Sequence, residues 1–281
     1  MSAQPGSGKG HVRRDHAEGQ TARLMAEVWY AQIPELADPA LLAALRSVSA
    51  ETEVQEQSLT VPHTDLTTEL EEGVMPLLTA VVLASPLGLG AKRLPDASQT
   101  WDWAEAEAAL ATCTGSLLVT ELLAQHFTPQ QRVTGLMRVL QALLTVTRPA
   151  AVHWPASQRV TDPDRFDPDG LDGVINVRFF TVGAEEAMLM DTLGLDLFEL
   201  PDVQCHYRDF SPADVAAMLY DTAVYLFRSG DVIDDGHTIS GPRGDEHFRC
   251  RHEDALVDPQ RVVVDVDLGE PYAAGERYRP G

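Results

Sequence analysis

The fold is decided by two similar stretches: Leu117-Leu-Val-Thr-Glu-Leu-Leu123 followed by Phe127-Thr-Pro129, and Val203-Gln-Cys-His-Tyr207 followed by Phe210-Ser-Pro212. In each stretch, an apolar run typical of a strand precedes a hydroxyl residue and a proline. The hydroxyls of Thr128 and Ser211 are suited to accept a hydrogen bond from an unpaired N–H of a first helical turn. Proline is tolerated at the first helical position because its missing N–H would have no partner there. Both stretches therefore predict a strand that leads directly into a helix.

Amphipathic runs of helical length follow both prolines. Their apolar residues recur at intervals of three and four: Val133, Leu136, Met137, Leu140, Leu143 and Leu144 in the first run, and Val215, Met218, Leu219, Thr222, Tyr225 and Leu226 in the second. This spacing places one apolar stripe on each helix, which we expect to pack on a sheet. A short apolar segment follows each helix, at 151–154 and at 231–233, and predicts a further strand. The chain is thus expected to contain two related strand–helix–strand units.

Strands alternating with helices predict an α+β fold with two related ferredoxin-like α/β halves, whose helices pack on mixed or antiparallel sheets. An Asp- and Pro-rich stretch separates the halves. The predicted division is a disordered tail over 1–24, a first half over 25–160, a linker over 161–173, a second half over 174–268 and a tail over 269–281. Within the second half, residues 184–193 are predicted to form a short helix that ends at Gly194.

The composition is strongly acidic. The 281 residues include 43 Asp and Glu against 21 Lys and Arg, a formal net charge of −22, and the only lysines are Lys9 and Lys92. Such a surface repels phosphate backbones, so we expect no nucleic-acid binding; it suits a basic protein partner, or serves solubility alone. The arginine-rich, lysine-poor composition indicates a bacterial protein. Apolar runs approaching the roughly 20 residues of a membrane span are absent, and we expect a cytoplasmic protein.

Polar residues at strand ends are candidates for a pocket. His153-Trp-Pro-Ala-Ser157 brings an imidazole, an indole N–H and a hydroxyl to the end of a predicted strand, although Trp154 could equally anchor a sheet edge. The complete candidate pocket consists of His153, Trp154, Ser157, Arg178, Asp191 and His206. The segment lacks a G-x-S-x-G elbow, so a hydrolase nucleophile at Ser157 is not indicated. Cys205 and His206 are adjacent on a strand and face opposite sides, which excludes a dyad between them.

A second group of residues is the best metal candidate of the sequence. It comprises His237, His247, Cys250 and His252. Cys250 and His252 would share a face of a strand, and zinc accepts nitrogen and sulfur ligands. The spacing matches no common zinc pattern, and Arg249 and Arg251 lie between the candidates. We therefore expect no metal and no cofactor.

Many short motifs of the second half occur together in one order. They are Asn176-Val-Arg178, Asp191-Thr-Leu-Gly-Leu195, Leu200-Pro-Asp-Val-Gln-Cys-His206, Gly230-Asp231, Asp235-Gly236, Thr238-Ile-Ser-Gly241 and Pro259-Gln-Arg261, preceded by His153-Trp-Pro-Ala-Ser157. Over roughly residues 75–268 the chain thereby resembles a bacterial family of domains of unknown function, number four-two-six-one. The resemblance implies no particular activity. It associates the chain with accessory or immunity-type proteins of bacterial conflict loci, and the motif residues would serve equally well as determinants of the fold.

Two functions remain as hypotheses. The first is a non-enzymatic, acidic protein-interaction module, for example an immunity or secretion-system accessory protein, because the sequence shows no catalytic constellation. The alternative is an enzyme or small-ligand binder with a pocket between the two halves, lined by the candidate residues above. The sequence indicates neither the partner nor the oligomeric state.

Overall fold

A computed structural model describes residues 23–71, 73–84, 94–182 and 187–275, and this part of the chain forms an α+β fold. The first half contains β1 (Met25–Tyr30), α1 (Pro39–Val48), β2 (Glu53–Val54), β3 (Ser58–Leu70), β4 (Gly73–Leu83), α2 (Ala106–Ala111), β5 (Gly115–Leu122), α3 (Pro129–Val146), β6 (Ala151–Trp154) and β7 (Arg159–Thr161). The second half contains β8 (Asn176–Val182), β9 (Ala187–Leu193), β10 (Asp202–Tyr207), α4 (Pro212–Ser229), β11 (Thr238–Ser240), β12 (His247–Asp254) and β13 (Val262–Asp267). The predicted α+β class is confirmed.

The strands form two sheets. The seven-stranded sheet has the order β2-β3-β4-β5-β1-β6-β7, with antiparallel neighbours throughout. The six-stranded sheet has the order β11-β12-β13-β10-β9-β8; β10 and β13 are parallel and the other neighbours antiparallel. In both sheets an antiparallel meander, β3-β4-β5 or β8-β9-β10, precedes the long helix.

Both predicted helix starts are confirmed. The Thr128 hydroxyl accepts a hydrogen bond from the Gln131 N–H at 3.2 Å, and the Gln131 side chain accepts one in return from the Thr128 N–H, which makes a capping box. Ser211 accepts from the Asp214 N–H at 3.3 Å. The two helices therefore begin where local hydrogen bonding, and not tertiary packing alone, dictates.

The apolar stripes of α3 and α4 enter one hydrophobic core that draws side chains from both halves. Leu140 and Leu219 are fully buried. Tyr225 departs from the prediction because its side chain is 52% exposed on the outer face of α4. The side-chain amide of Gln130 on α3 also donates to the Phe227 carbonyl at 2.8 Å, linking the two helices directly.

Two predictions of secondary structure are wrong. Residues 187–193 form β9 instead of a helix, and 184–186 lie outside the described residues. Residues 232–233 are not in a strand; Ile233 is buried in the core while Val232 is exposed. An apolar pair next to an Asp-Asp-Gly turn is too short to pair along a sheet edge. The second unit is therefore a meander and a helix without the predicted closing strand.

Of the two predicted tails, residues 1–22 and 276–281 lie outside the described residues. Residues 269–275 pack against β10: the Ala274 N–H donates to the His206 carbonyl at 3.2 Å, and Ala274 is buried. Among the described residues, none of the helices is long and apolar enough to cross a membrane.

Candidate functional site

Four charged side chains from β8, β9, β10 and the residue before β13 form what we call the buried ion network: Arg178, Asp191, Asp202 and Arg261. Arg178 binds Asp191 through two hydrogen bonds, Nε to Oδ1 at 3.0 Å and Nη2 to Oδ2 at 2.6 Å. Arg261 bridges both acids, with Nη2 2.6 Å from Asp191 Oδ2 and Nε 3.0 Å from Asp202 Oδ2. Two guanidinium groups and two carboxylates thus balance in the interior, where a lone charge would be costly.

The remaining hydrogen-bonding capacity of Asp202 holds the turn after β9. Its Oδ1 accepts from the Thr192 hydroxyl at 3.1 Å and from the Leu195 N–H at 3.2 Å. Burial raises the pKa of Asp202 to about 6, whereas Arg261, the Leu195 N–H and Thr192 act to lower it. The group is therefore ionised at neutral pH and matches the charge of Arg261.

The turn after β6 is hydrogen-bonded to the segment that leads into β8, and we call this contact the seam between the two halves. The Ser157 hydroxyl donates to the Gly173 carbonyl, and the Ser157 carbonyl accepts from the Asn176 side-chain amide at 3.1 Å. The Trp154 indole donates to the Thr161 hydroxyl at 3.1 Å, and a Cβ on Gly173 would lie only 2.2 Å from this ring. The Ser157 hydroxyl and the Trp154 indole N–H thus make hydrogen bonds within the protein.

The network reaches this seam through Gln158. Its side-chain oxygen accepts from Arg178 Nη1 at 3.2 Å, and the same Nη1 donates to the Asp258 carbonyl at 2.9 Å. Of the six candidate pocket residues, Arg178 and Asp191 are therefore in direct contact, and Ser157 is next to the residue that touches Arg178. The structure therefore places Arg178, Asp191 and Ser157 near one another in the packed interior.

The two histidines of the candidate pocket lie on different sheets. His153 on β6 is half-buried, with Nδ1 3.2 Å from Glu27 Oε2 on β1. His206 on β10 is half-buried beside Gly275, where an added Cβ would lie 2.5 Å from its Nδ1. Cys205 is fully buried in the core, on the opposite face from His206 as predicted.

The residues considered as metal ligands are spread over both faces of β12 and the turn before β11. Cys250 is fully buried, and burial raises the pKa of its thiol to about 11. His247 is exposed at the start of β12, and His237 is exposed with Nε2 3.7 Å from Asp234. Among the residues that the structure describes, there is no group of three metal-ligating side chains placed to hold an ion.

His252 instead joins the loop after α4 to β12. Its Nε2 lies 3.1 Å from Asp231 Oδ1, and its Nδ1 lies 3.0 Å from Asp235 Oδ1. The backbone N–H of His252 donates to the same Asp235 oxygen at 2.8 Å. Desolvation lowers the pKa of His252, but the hydrogen bonds to Asp235 and Asp231 outweigh it, and the net shift is upward. The protonated imidazole can donate to both carboxylates at once.

Among the grooves on the surface of the described residues, two lie beside the long helices. The larger, of about 600 Å³, lies between α1, α3 and β3. Its charged groups neutralise each other, because Arg138 Nη1 contacts both carboxylate oxygens of Asp65 at 2.8 and 2.9 Å. The rest of its lining is neutral: Ala44, Ser47, Val48, Thr64, Gln141, Ala142 and Thr145.

The second groove, of about 380 Å³, lies between the outer flank of α4 and the β11–β12 hairpin; we call it the α4 groove. Its lining comprises Asp214, Ala217, Met218, Asp221, Thr222, Tyr225, Ile239, Ser240, Gly241 and Pro242. Neither carboxylate forms an ion pair with another described residue. The α4 groove therefore combines apolar walls with two negative charges that the protein does not neutralise by contact.

The fold and the candidate site define an α+β protein of two sheets, with a buried ion network in its second sheet. Residues 191–267 match the model of a family described as Domain of unknown function (DUF4261). The resemblance noted in the sequence is confirmed over this segment, from Asp191 in β9 to the end of β13. No curated protein and no solved structure matches the chain.

Sequence reasoning missed the partners of the residues it selected. Arg178 and Asp191 were expected in a pocket, and Asp202 and Arg261 appeared only within the family motifs. The signal that could have found them is charge inside apolar strands, because such residues are rarely buried unless paired. The acids of the α4 groove were also missed; their signal is the seven-residue interval that places Asp214 and Asp221 on one side of a helix.

Proposed function

We propose that this protein is an acidic, non-enzymatic protein-interaction module of the bacterial cytoplasm, with an accessory or immunity-type role toward a basic partner protein. The observation that carries the proposal is the position of the charge. Among the described residues, the buried acids and bases nearly cancel: Glu121, Asp191, Asp202 and Asp265 against Arg159, Arg178 and Arg261. The buried residues therefore account for almost none of the formal net charge of −22. A field of one sign at the surface accelerates and orients association with a partner of opposite charge.

The interior polar residues support binding at the surface over a pocket between the halves. Arg178, Asp191 and Ser157 are each at most 2% exposed and hydrogen-bonded to other protein groups. A ligand at this position would have to break those hydrogen bonds and leave a buried charge unpaired, which costs on the order of several kcal/mol. Neither of the two grooves described above is lined by these residues.

The cysteines are consistent with the proposed compartment. Cys113, Cys205 and Cys250 are buried and form no disulfide. Free thiols persist where glutathione and thioredoxin keep them reduced, as in the cytoplasm.

The test is a capture experiment with the full chain as bait in a lysate of the source bacterium, and an unrelated protein of similar negative charge as the control bait. We expect one protein in stoichiometric amount on the specific bait only. Calorimetry with the purified partner should give an affinity that falls between about 0.1 and 1 M salt, because the screening length shortens from roughly 10 to 3 Å. Repeated recovery of no protein, together with a co-purifying small molecule, would contradict the proposal.

A further inference from the structure

We infer that the α4 groove is the docking site for an amphipathic, basic helix of a partner protein. This inference rests on the proposed function and specifies where and how the partner binds. The helix would insert apolar side chains between α4 and the β11–β12 hairpin and place a basic side chain on each of Asp214 and Asp221.

The groove exists because α4 covers only part of its sheet. The helix packs on β8, β9 and β10, and its other flank looks toward the β11–β12 hairpin. Ile239 is paired across the hairpin with Phe248, which is buried, so both side chains point to the face on which α4 lies. Ala217 and Tyr225 on α4 and Ile239 on β11 thus supply the accessible apolar lining of the groove, and Met218 lies beneath it in the core.

The hairpin wall has a fixed shape. A Cβ on Gly241 would lie 2.6 Å from the Phe248 ring and 2.7 Å from Glu246 Cβ, so the chain turns here only with glycine. Arg243 just beyond has its guanidinium 5.0 Å from the Phe210 ring centroid and 3.2 Å from Glu246. The guanidinium of Arg243 contacts Glu246 and also attracts Asp214 through space, but within the described chain neither Asp214 nor Asp221 makes an ion pair by contact.

The charges set the register of the occupant. Asp214 and Asp221 are separated by seven residues, which is about 10.5 Å along a helix axis. A second helix lying alongside α4 would match this distance with two basic residues seven positions apart, and the residues between them, three and four positions on, would face the groove. Tyr225, one turn beyond Asp221 and 52% exposed, offers an aromatic face to the second cation.

The volume fits side chains and not a backbone. About 380 Å³ lies at the small end of the range for binding pockets, so the helix would rest on the rim with its apolar side chains inside. This is the usual way in which an amphipathic helix occupies a groove. A fully extended basic segment would repeat its charges on one face about every 6.6 Å and would not match both carboxylates with one apolar anchor between them.

The experiment uses a fluorescent, end-capped probe peptide of about 18 residues, long enough to form a helix, with two arginines seven positions apart and leucines between them on the same face. Binding to the full chain is followed by anisotropy at low salt. We expect the Asp214→Asn/Asp221→Asn variant to bind about tenfold more weakly, the sum expected for two exposed charge pairs. The matched control Glu51→Gln/Glu56→Gln removes two exposed acids from the turns on either side of β2 and should bind like the unchanged protein.

Two further reagents make the result specific. A peptide of equal composition with its arginines on opposite faces should bind weakly, and a peptide with two glutamates should bind Asp214→Arg/Asp221→Arg but not the unchanged chain. Circular dichroism checks that each variant is folded. Equal binding of the probe to the unchanged protein and to the Asp214→Asn/Asp221→Asn variant would overturn the inference.

The native partner separates the two proposals. If a salt-sensitive partner is captured equally by the unchanged protein and by Asp214→Asn/Asp221→Asn, the α4 groove is wrong and the interaction module stands. If the variant loses the partner and the Glu51→Gln/Glu56→Gln control retains it, both are supported. If no protein is captured and the probe does not bind, both fall.

Discussion

Replacing Arg261 by Met should destabilise the protein more than the loss of any surface charge. Arg261 is 6% exposed and donates to Asp191, Asp202, the Thr192 carbonyl at 2.8 Å and the Pro259 carbonyl at 2.8 Å. Its removal leaves two buried carboxylates opposite a single guanidinium. Removing one partner of a buried ion pair costs about 3–5 kcal/mol, and we expect a loss in this range at pH 7.5.

The pH dependence identifies the cause. Arg261 lowers the pKa of Asp202, so its loss raises that pKa further above the unfolded value of about 3.9. The folded variant then binds a proton that the unfolded chain does not, and the stability of the variant relative to the unchanged protein rises as pH falls from 7.5 to 5.5. Each pH unit in this window returns at most about 1.4 kcal/mol.

The assay is urea unfolding of Arg261→Met, Arg261→Lys and the control Arg251→Met at both pH values. Arg251 is exposed, with its guanidinium 3.6 Å from Glu253, and its replacement should cost no more than about 1 kcal/mol. Lys keeps the charge but not the planar fork, so its loss should be intermediate. A cost below about 1 kcal/mol for Arg261→Met, or a deficit that does not shrink at pH 5.5, would refute the reasoning.

Three further predictions concern the core and two histidines. Burial, followed by Arg138, lowers the pKa of His63 to about 4 against the opposing effect of Asp65, so between pH 6.5 and 4 the unfolded chain binds a proton that the folded protein does not. In urea unfolding over this pH range, the unfolding free energy of the unchanged protein should therefore fall by about 3 kcal/mol more than that of His63→Gln. Leu140→Ala and Leu219→Ala should each cost about 2–5 kcal/mol, whereas Gln141→Ala on the exposed side of α3 should stay within about 0.5 kcal/mol. Asp231→Asn/Asp235→Asn should lower the pKa of His252 as measured by NMR, because the two carboxylates favour the protonated imidazole. The stabilisation of the fold by protonated His252 should be present below pH 6.5 and fade as pH rises through its raised folded pKa. An unchanged His252 titration would contradict the bridging geometry.

The parts of the fold that the sequence predicted are those with local causes. Thr128 and Ser211 begin helices because their hydroxyls and the following prolines act within one turn. Residues 187–193 contradict the predicted helix because a segment this short carries too few repeats of its apolar residues to distinguish a helix from a strand. In the sheet this segment is buried on both faces, as Met190 faces the core and Asp191 enters the ion network.

The candidate site was predicted in its members and not in its arrangement. Arg178 and Asp191 are 13 residues apart and meet across neighbouring strands, but Asp191 and Arg261 are 70 residues apart. That contact depends on the strand order β13-β10-β9-β8, in which a late strand inserts next to β10. Such long-range order follows from packing of the whole chain and is not encoded in the spacing of charged residues.

The family motifs and the proposed binding surface fall on different residues for a physical reason. Asp191 and Arg261 lie within the segment that matches the family, Arg178 pairs with Asp191, and the hydrogen bonds of all three end on other protein groups. A side chain whose donors and acceptors are all bonded internally gains nothing from a ligand unless the fold gives way, so these residues specify structure. Recognition has to come from groups that keep bonding capacity at the surface, and Asp214 and Asp221 on the outer flank of α4 do so. On this reasoning, exchanging the acids of α4 should change which partner is bound. Because Asp214 lies in the first turn of the helix, the exchange should lower the unfolding free energy by no more than about 1 kcal/mol. Changes in the buried ion network should lower the unfolding free energy by about 3–5 kcal/mol and leave the choice of partner unchanged.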